Sequence, residues 1–132
     1  GGMCHLDAAM TKQGVEALGT DGVELAILEN VGNLVCPAEF DTGAVKNVMI
    51  LSVPEGDDKP LKYPLMFKVS DVVLINKIDV LPYFDFDVEK CKEYIKHRNP
   101  NAKIFLICAK TGEGIEEWAT WLNDEVREWI DK

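Results

Sequence analysis

The stretch VVLINKID, residues 72–79, decides the fold. Its first four residues are apolar without alternation, which is typical of a strand buried on both faces. Similar apolar runs occur at residues 24–28 (ELAIL), 48–53 (VMILSV) and 104–107 (IFLI). Helical patterns separate these runs, most clearly at residues 115–130, where apolar residues recur at steps of three and four. Alternating strands and helices predict an α/β fold with a parallel, doubly wound sheet.

Three further helices are predicted between the strands. One begins near Asp87, a good N-cap, and ends before the Asn99-Pro100 pair, with Cys91 on its inner, core-facing side. Weaker helical patterns cover residues 6–18 and 63–69. Right-handed crossovers place the carboxyl end of every strand at one edge of the sheet, where ligands bind, so functional motifs are expected directly after the strands.

Composition narrows the class of protein. The chain has 132 residues, 14 Lys and Arg against 23 Asp and Glu, and a net charge of −9. Such an acidic surface disfavours binding to nucleic acid and to anionic membranes. No apolar run approaches the ~18 residues of a membrane span, and no secretory signal is visible. We therefore expect one cytoplasmic domain whose four cysteines do not form a disulfide framework.

The tetrapeptide Asn76-Lys77-Ile78-Asp79 suits guanine recognition. An ionised Asp79 accepts hydrogen bonds from the ring N–H and the exocyclic amine of guanine, whereas adenine would leave this carboxylate unpaired. The Lys77 stem can lie along the base, and the Asn76 amide can tie neighbouring loops together. The alternative is a plain turn.

Two other segments follow predicted strands. Cys108-Ala109-Lys110, with Thr111 and Gly112, stands where a second base-contacting loop belongs, and its backbone N–H groups can meet the guanine oxygen. Glu29 to Gly32 can hold Mg²⁺ through water and approach a γ-phosphate with a glycine N–H. The alternatives are a strand-to-helix turn for the first segment and an acidic residue beside a glycine turn for the second. The acidic stretches 55–58 and 85–87 are interpreted as solvated loop and helix cap.

Cys4, His5 and Cys36 are candidate metal ligands. Thiolate and imidazole suit zinc or nickel. Three ligands leave a position open, which fits a transferable metal or a site shared between two chains. On spacing alone, three ordinary residues remain the simpler interpretation.

Long motif strings nevertheless resemble one family. CHLDA at residues 4–8, ENVGNLVCPAEFDTG at 29–43, NKIDVLPYFDFD at 76–87 and KTGEGI at 110–115 are similar to the hydrogenase and urease nickel-incorporation GTPases, above all to their hydrogenase branch. Cys108 departs from the family pattern, in which a serine is common at that position. The resemblance covers nearly the whole chain.

The resemblance implies a mostly parallel P-loop-NTPase-type sheet flanked by helices. It also implies a GTPase that binds GTP or GDP and Mg²⁺, with Glu29 and Gly32 in the switch, and Asn76, Lys77, Asp79, Cys108, Ala109 and Lys110 around the base. Cys4, His5 and Cys36 would bind Ni²⁺ or Zn²⁺ at the interface of a homodimer. The expected partners are a nickel-enzyme precursor and a second maturation protein.

One family element is missing from the sequence. The phosphate-binding loop precedes the Cys-His pair in the family, and no such segment occurs here. We therefore expect residues 1–132 to form a single GTPase-like domain that is N-terminally truncated relative to the family and inactive in hydrolysis by itself. The family strand before that loop would lie between residues 24–28 and 48–53. Alternatives are a metal-binding storage or interaction module without hydrolysis, and a guanine-binding regulatory domain with incidental cysteines.

Overall fold

Three parallel strands form the centre of the molecule. The computed structural model describes residues 6–30 and 32–132, with the side chain of Cys36 also outside the description. The strands are β1 (Val48–Ser52), β2 (Val72–Asn76) and β3 (Lys103–Leu106), in the order β1-β2-β3. The register pairs Val48 with Val72 and Val72 with Lys103. The predicted α/β class is confirmed, and three predicted strands lie within one residue of their expected bounds.

Helices flank the sheet on both faces. They are α1 (Ala8–Leu18), α2 (Cys36–Glu39), α3 (Lys59–Lys62), α4 (Pro64–Val69), α5 (Val88–Arg98) and α6 (Ile115–Ile130). The predicted start of α5 is confirmed, because the Asp87 carboxylate accepts a hydrogen bond from the Lys90 N–H at 3.0 Å and satisfies a donor that the helix leaves unpaired. Among the described residues, no helix is long and apolar enough to cross a membrane.

The central strand β2 buries side chains on both of its faces. Val73 and Ile75 pack in the cluster that contains Phe67 of α4 and Ile95 of α5. Val72 and Leu74 point to the opposite face. Their neighbours there come from β3, the loop after it and α6: Phe105, Ile107, Ile115, Trp118 and Trp121. Burying a side chain such as Phe67, which is fully buried, stabilises the fold by up to roughly 3 kcal/mol. The double-sided burial explains why the β2 sequence is apolar at consecutive positions.

One predicted strand does not form. Residues 24–28 have no strand structure, and Ile27 is 81% exposed. An extended apolar segment becomes a strand only when a neighbour accepts its backbone hydrogen bonds, and no strand of the described residues lies beside this segment. The prediction rested on apolarity alone and was wrong for this segment. The outer edge of β1 is likewise unpaired within the described chain, and Ile50 is 57% exposed.

Candidate nucleotide site and metal ligands

The carboxyl ends of the three strands lie at one edge of the sheet, which we call the strand-end edge. Three segments leave it: residues 53–58 after β1, 77–87 after β2 and 107–114 after β3. Parallel pairing aligns the last residues of β1 and β2, Ser52 and Asn76, as register partners. The sequence motifs predicted to contact a base therefore begin at this edge.

Asn76 connects two of these segments directly. Its Oδ1 accepts a hydrogen bond from the Ala109 N–H at 3.1 Å. A second link is the hydrogen bond from the Ile78 N–H to the Ile107 carbonyl at 3.3 Å. The structure therefore brings the Asn76–Asp79 segment against the Cys108–Lys110 segment, as the sequence predicted from their positions after neighbouring strands.

Lys77 has an unusual backbone conformation. Its φ of 64° and ψ of 39° lie in the left-handed region, and it is the only non-glycine residue with positive φ in the described part of the chain. For a residue with a Cβ this conformation costs roughly 1–2 kcal/mol. The turn takes the chain from β2 into a 3₁₀ helix, Ile78–Tyr83. The hydrogen bonds of Asn76 and Ile78 on either side hold the turn in place.

The loop after β3 is closed by its own backbone. The Cys108 N–H donates to the Glu113 carbonyl, and the Gly112 N–H donates to the Cys108 carbonyl, both at 2.8 Å. At Gly114 φ is 76°, and a Cβ there would lie 2.0 Å from the Leu106 carbonyl oxygen. Only glycine fits that position, so the close approach between the start of α6 and the end of β3 depends on it.

Several polar groups of these segments remain available to a ligand, and two of them belong to the predicted base-contacting motifs. The Asp79 carboxylate is exposed and makes no hydrogen bond or ion pair with any described residue. The Lys110 N–H also lacks an acceptor in the described part of the protein, whereas the neighbouring Ala109 N–H is engaged by Asn76. The side chains of Lys77 and Lys110 are exposed. The edge therefore offers a ligand exposed carboxylates, of which Asp79 belongs to the predicted motif, a free backbone donor at Lys110 and the flexible cations of Lys77 and Lys110.

Cys108 does not present its thiol to this surface. The residue is 1% exposed, so its side chain is part of the core and only its backbone contributes to the loop. Cys91 is fully buried on the inner side of α5, as predicted. Burial, with a smaller contribution from the negative charge of Asp57, raises the pKa of the Cys91 thiol to about 12. Both cysteines are free thiols without access to solvent.

Sequence reasoning missed how the segment after β1 is held. The Glu55 carboxylate accepts hydrogen bonds from the Ser52 N–H at 2.7 Å and from the Ser52 hydroxyl at 2.8 Å. Asp57 accepts a hydrogen bond from the Asp87 N–H at 2.7 Å. Residues 55–58 are exposed or half-buried, as expected of a solvated loop, but the carboxylates of Glu55 and Asp57 are held by hydrogen bonds. The signal was present, since Ser52 and Glu55 have the serine-x-x-glutamate spacing of a capping box.

Glu29 and Gly32 lie in irregular backbone rather than after a strand. Both are exposed, and no hydrogen bond or ion pair of the described residues joins them to Asn76, Lys77 or Asp79. The expected strand-end position of this pair is wrong for this structure, because the preceding strand does not form.

The structure does not describe the side chains of the three predicted metal ligands. Cys4 and His5 lie outside the described residues, and Cys36 is described only as the first residue of α2. Within the described chain, Gly43 lies close to Ala8, since a Cβ on Gly43 would lie 3.3 Å from the Cβ of Ala8. Among described residues there is no group of three His, Cys, Asp or Glu that could hold a metal ion.

A family model confirms the class of protein that the motifs suggested. The model, described as "CobW/HypB/UreG, nucleotide-binding domain", matches residues 1–106. The chain therefore belongs to the CobW/HypB/UreG family of nucleotide-binding domains.

Individual relatives are hydrogenase maturation factors. The chain is 54% identical over 120 residues to hydrogenase maturation factor HypB of Azotobacter chroococcum, a match covering 90% of this chain and 39% of the relative. It is 50% identical to HypB of Escherichia coli K12, covering 92% of this chain and 42% of the relative. The chain thus spans about two fifths of the length of these relatives.

Solved structures give the same fold. HypB of Archaeoglobus fulgidus superposes with a TM-score of 0.85 at 43% identity, over 93% of this chain and 65% of that one. HypB of Helicobacter pylori, solved in complex with nickel, superposes with a TM-score of 0.87 at 43% identity, over 95% of this chain and 60% of that one. The predicted P-loop-NTPase-type architecture is confirmed.

Proposed function

We propose that this chain is the guanine-selecting and metal-binding part of a GTP-dependent nickel-insertion protein for hydrogenase maturation. The observation that carries the proposal is the hydrogen bond from the Ala109 N–H to Asn76 Oδ1, which joins the two base-contacting segments. Beside it the Asp79 carboxylate is exposed and unpaired among described groups. Membership of a nucleotide-binding family supports the same function.

The free groups at the strand-end edge match guanine rather than adenine. Asp79 accepts from the ring N–H and the exocyclic amine of guanine, two donors on neighbouring atoms. The Lys110 N–H is a free backbone donor for the guanine oxygen, whereas the Ala109 N–H is already bound to Asn76. Adenine carries a lone pair and no amine where Asp79 would meet it, so it would leave the carboxylate desolvated and unpaired. The aliphatic stem of Lys77 covers the base.

Hydrolysis of GTP needs groups that the rest of the protein supplies. The relatives are somewhat more than twice as long as this chain. We propose that the phosphate-binding loop lies in the part of their length that this chain does not span. We propose that a strand from that part inserts between residues 24–28 and β1, completing one GTPase-like domain; the exposed Ile27 and Ile50 support this. Mg²⁺, when bound, neutralises phosphate charge. Glu29 would hold Mg²⁺ through water, and the Gly32 N–H would approach the γ-phosphate.

Cys4, His5 and Cys36 are the proposed ligands of nickel, or of zinc, carried as cargo. The contact between Gly43 and Ala8 supports this set, because Ala8 follows the Cys-His pair closely and Gly43 lies seven residues after Cys36. The nickel complex of the Helicobacter pylori relative supports nickel as the metal. Cys91 and Cys108 are buried and do not compete for the metal.

A homodimer would place the metal between two copies of the protein. Three ligands leave one position of a four-coordinate site open, and a second copy can fill it. The aromatic side chains of Tyr83 and Phe84, which are 82% and 46% exposed, follow the guanine motif after three residues and offer an apolar surface for such pairing. We further propose a cytoplasmic location and two partners, the nickel-enzyme precursor and a second maturation protein, on the basis of the hydrogenase-maturation relatives.

Nickel titration of the full-length protein tests this function. Cys4→Ser and Cys36→Ser are expected to abolish stoichiometric nickel binding, whereas Cys108→Ser makes the same chemical change in a buried residue and should leave it intact. Guanine preference should be unchanged in all three variants. Unaltered nickel binding in Cys4→Ser and Cys36→Ser would favour a guanine-binding domain with incidental cysteines, and nickel binding without any guanine preference would favour a metal-storage module.

A further inference from the structure

The open edge of β3 is a site that the proposed function does not use. β3 pairs with β2 on one side only, and no described residue pairs with its other side. The Lys103 and Ile107 N–H groups donate to the Asp71 and Ile75 carbonyls, so the intervening residues Ile104 and Leu106 direct their N–H groups away from β2. Neither N–H has an acceptor among the described residues.

Clefts flank this edge on both sides. On one side an open cleft of about 630 Å³ lies between β3 and α6, with Phe105 and Trp121 as its apolar part. The Phe105 and Trp121 ring centroids are 6.2 Å apart, so the apolar part is a packed pair rather than two loose side chains. On the other side a second cleft lies between β3 and α5, and Lys103 and Ile104 line both clefts. An added strand places alternate side chains on opposite faces, which matches one cleft on each side.

The negative charge on the α6 side of the β3 edge determines which kind of segment can bind there. Glu116, Glu117 and Asp124 line the larger cleft, and none of them has an ion-pair partner among the described residues. Among the described residues that line that cleft, Lys103 is the only basic one. A segment carrying lysine or arginine would neutralise carboxylates that the chain leaves unpaired.

We propose that the open edge of β3 binds an extended, basic peptide segment of a partner protein, which adds a strand to the sheet and directs basic side chains toward Glu116, Glu117 and Asp124. A second copy of this chain is the poorer occupant. Edge-to-edge pairing of two copies would bring both sets of carboxylates together in a protein of charge −9. Lys103 on the edge opposes such self-pairing, as lysines do on exposed strands.

The test measures binding of a labelled hexapeptide of alternating lysine and valine to the full-length protein by fluorescence anisotropy. Ile104→Pro removes one outward N–H while the bonds from Lys103 and Ile107 to β2 remain, so affinity should fall about tenfold. Ile104→Val keeps the N–H and should bind like the unmodified protein.

The double variant Glu117→Lys, Asp124→Lys should also bind the basic hexapeptide about tenfold more weakly. The double variant Glu128→Lys, Asp131→Lys, which makes the same change of charge at the exposed C-terminal end of α6, should not.

Two further measurements, with an acidic control peptide and by amide exchange, distinguish peptide binding at the β3 edge from the alternatives. A hexapeptide of alternating glutamate and valine should bind at least about tenfold more weakly than the basic one. Amide exchange at Ile104 and Leu106 should be fast in the free protein and slow with saturating basic peptide. This measurement uses the unmodified protein, so it does not depend on whether Ile104→Pro folds. Equal affinity for both peptides, or amides that stay fast in the complex, would overturn the proposal. Amides protected without peptide, together with a dimer in sedimentation, would assign the edge to a second copy instead.

Discussion

Asn76 and Ala109, separated by 33 residues in the chain, are joined by a hydrogen bond of 3.1 Å from the Ala109 N–H to Asn76 Oδ1. This bond holds the segment that follows β2 against the segment that follows β3. It also engages the Ala109 N–H, whereas the Lys110 N–H has no acceptor among the described residues and stays available to a ligand. The selectivity of the proposed site depends on this arrangement of loops as much as on Asp79 itself.

Replacing Asn76 by alanine should loosen the loop after β3. The variant loses one hydrogen bond and frees the Ala109 N–H, so stability should fall by about 1 kcal/mol and amide exchange at Ala109 should accelerate. Urea denaturation and amide exchange measure the two effects. Asn123→Ala, on the exposed surface of α6, is the matched control and should change neither. An unchanged exchange rate at Ala109 in Asn76→Ala would contradict the role assigned to the side chain.

The left-handed backbone of Lys77 allows its conformational and chemical roles to be separated. Lys77→Gly and Lys77→Ala both remove the stem that covers the base, so both should weaken GDP binding equally. Glycine accepts φ of 64° without strain, so Lys77→Gly should be more stable than Lys77→Ala by about 1 kcal/mol. Thermal denaturation and GDP titration of the full-length protein check this. Equal stability of the two variants would show that the turn is not strained.

Gly112 and Gly114 form a matched pair for testing the contact between β3 and α6. Both have positive φ, but a Cβ on Gly112 meets nothing within 4 Å, whereas a Cβ on Gly114 would lie 2.0 Å from the Leu106 oxygen. Gly112→Ala should therefore cost about 1–2 kcal/mol, the conformational term alone. Gly114→Ala should cost clearly more, or prevent folding, in urea denaturation. A smaller loss for Gly114→Ala than for Gly112→Ala would contradict this packing.

The buried Cys91 predicts an alkaline loss of stability. Its thiol has a pKa of about 12 in the folded protein against an ordinary value of 9.0, because burial disfavours the thiolate. A raised pKa means that the folded state holds this proton more tightly, so the stabilisation is complete below pH 9 and declines between pH 9 and about 12. Between pH 8 and about pH 10.5 the unfolding free energy of the unmodified protein should fall more than that of Cys91→Ala. Parallel declines would place the cause in other groups.

The sequence predicted the sheet and the base-contacting segments because both depend on local patterns. Val72–Asn76 is apolar at every buried position, and a strand so placed orients whatever follows it. The failure at residues 24–28 has the opposite cause. An apolar run predicts that its side chains are buried. Strand formation also needs a neighbouring strand that accepts the backbone hydrogen bonds, and the sequence of one segment does not show whether that neighbour is present.

Three details of the site, at Asn76, Lys77 and Ser52, were not predicted from the sequence, each for a different reason. The hydrogen bond between Asn76 and Ala109 was anticipated as a link between loops, but the particular donor depends on the path of residues 107–114, which is closed by contacts such as that of Gly114 with Leu106. The left-handed turn at Lys77 has no sequence signal, because lysine does not favour it. The bond from Ser52 to Glu55 had a recognisable spacing and was overlooked.

The most direct test of guanine selection by Asp79 is a competition between GDP, inosine diphosphate and ADP on the full-length protein. Inosine diphosphate keeps the ring N–H and lacks only the exocyclic amine, so it isolates one of the two hydrogen bonds assigned to Asp79. The unmodified protein should prefer GDP over inosine diphosphate by about 10–100-fold, and over ADP by more. Asp79→Asn should remove most of the first preference while the fold stays intact. If the unmodified protein binds GDP and inosine diphosphate equally, or Asp79→Asn leaves the preference unchanged, then the edge formed by Asn76 and Ala109 does not select guanine through Asp79.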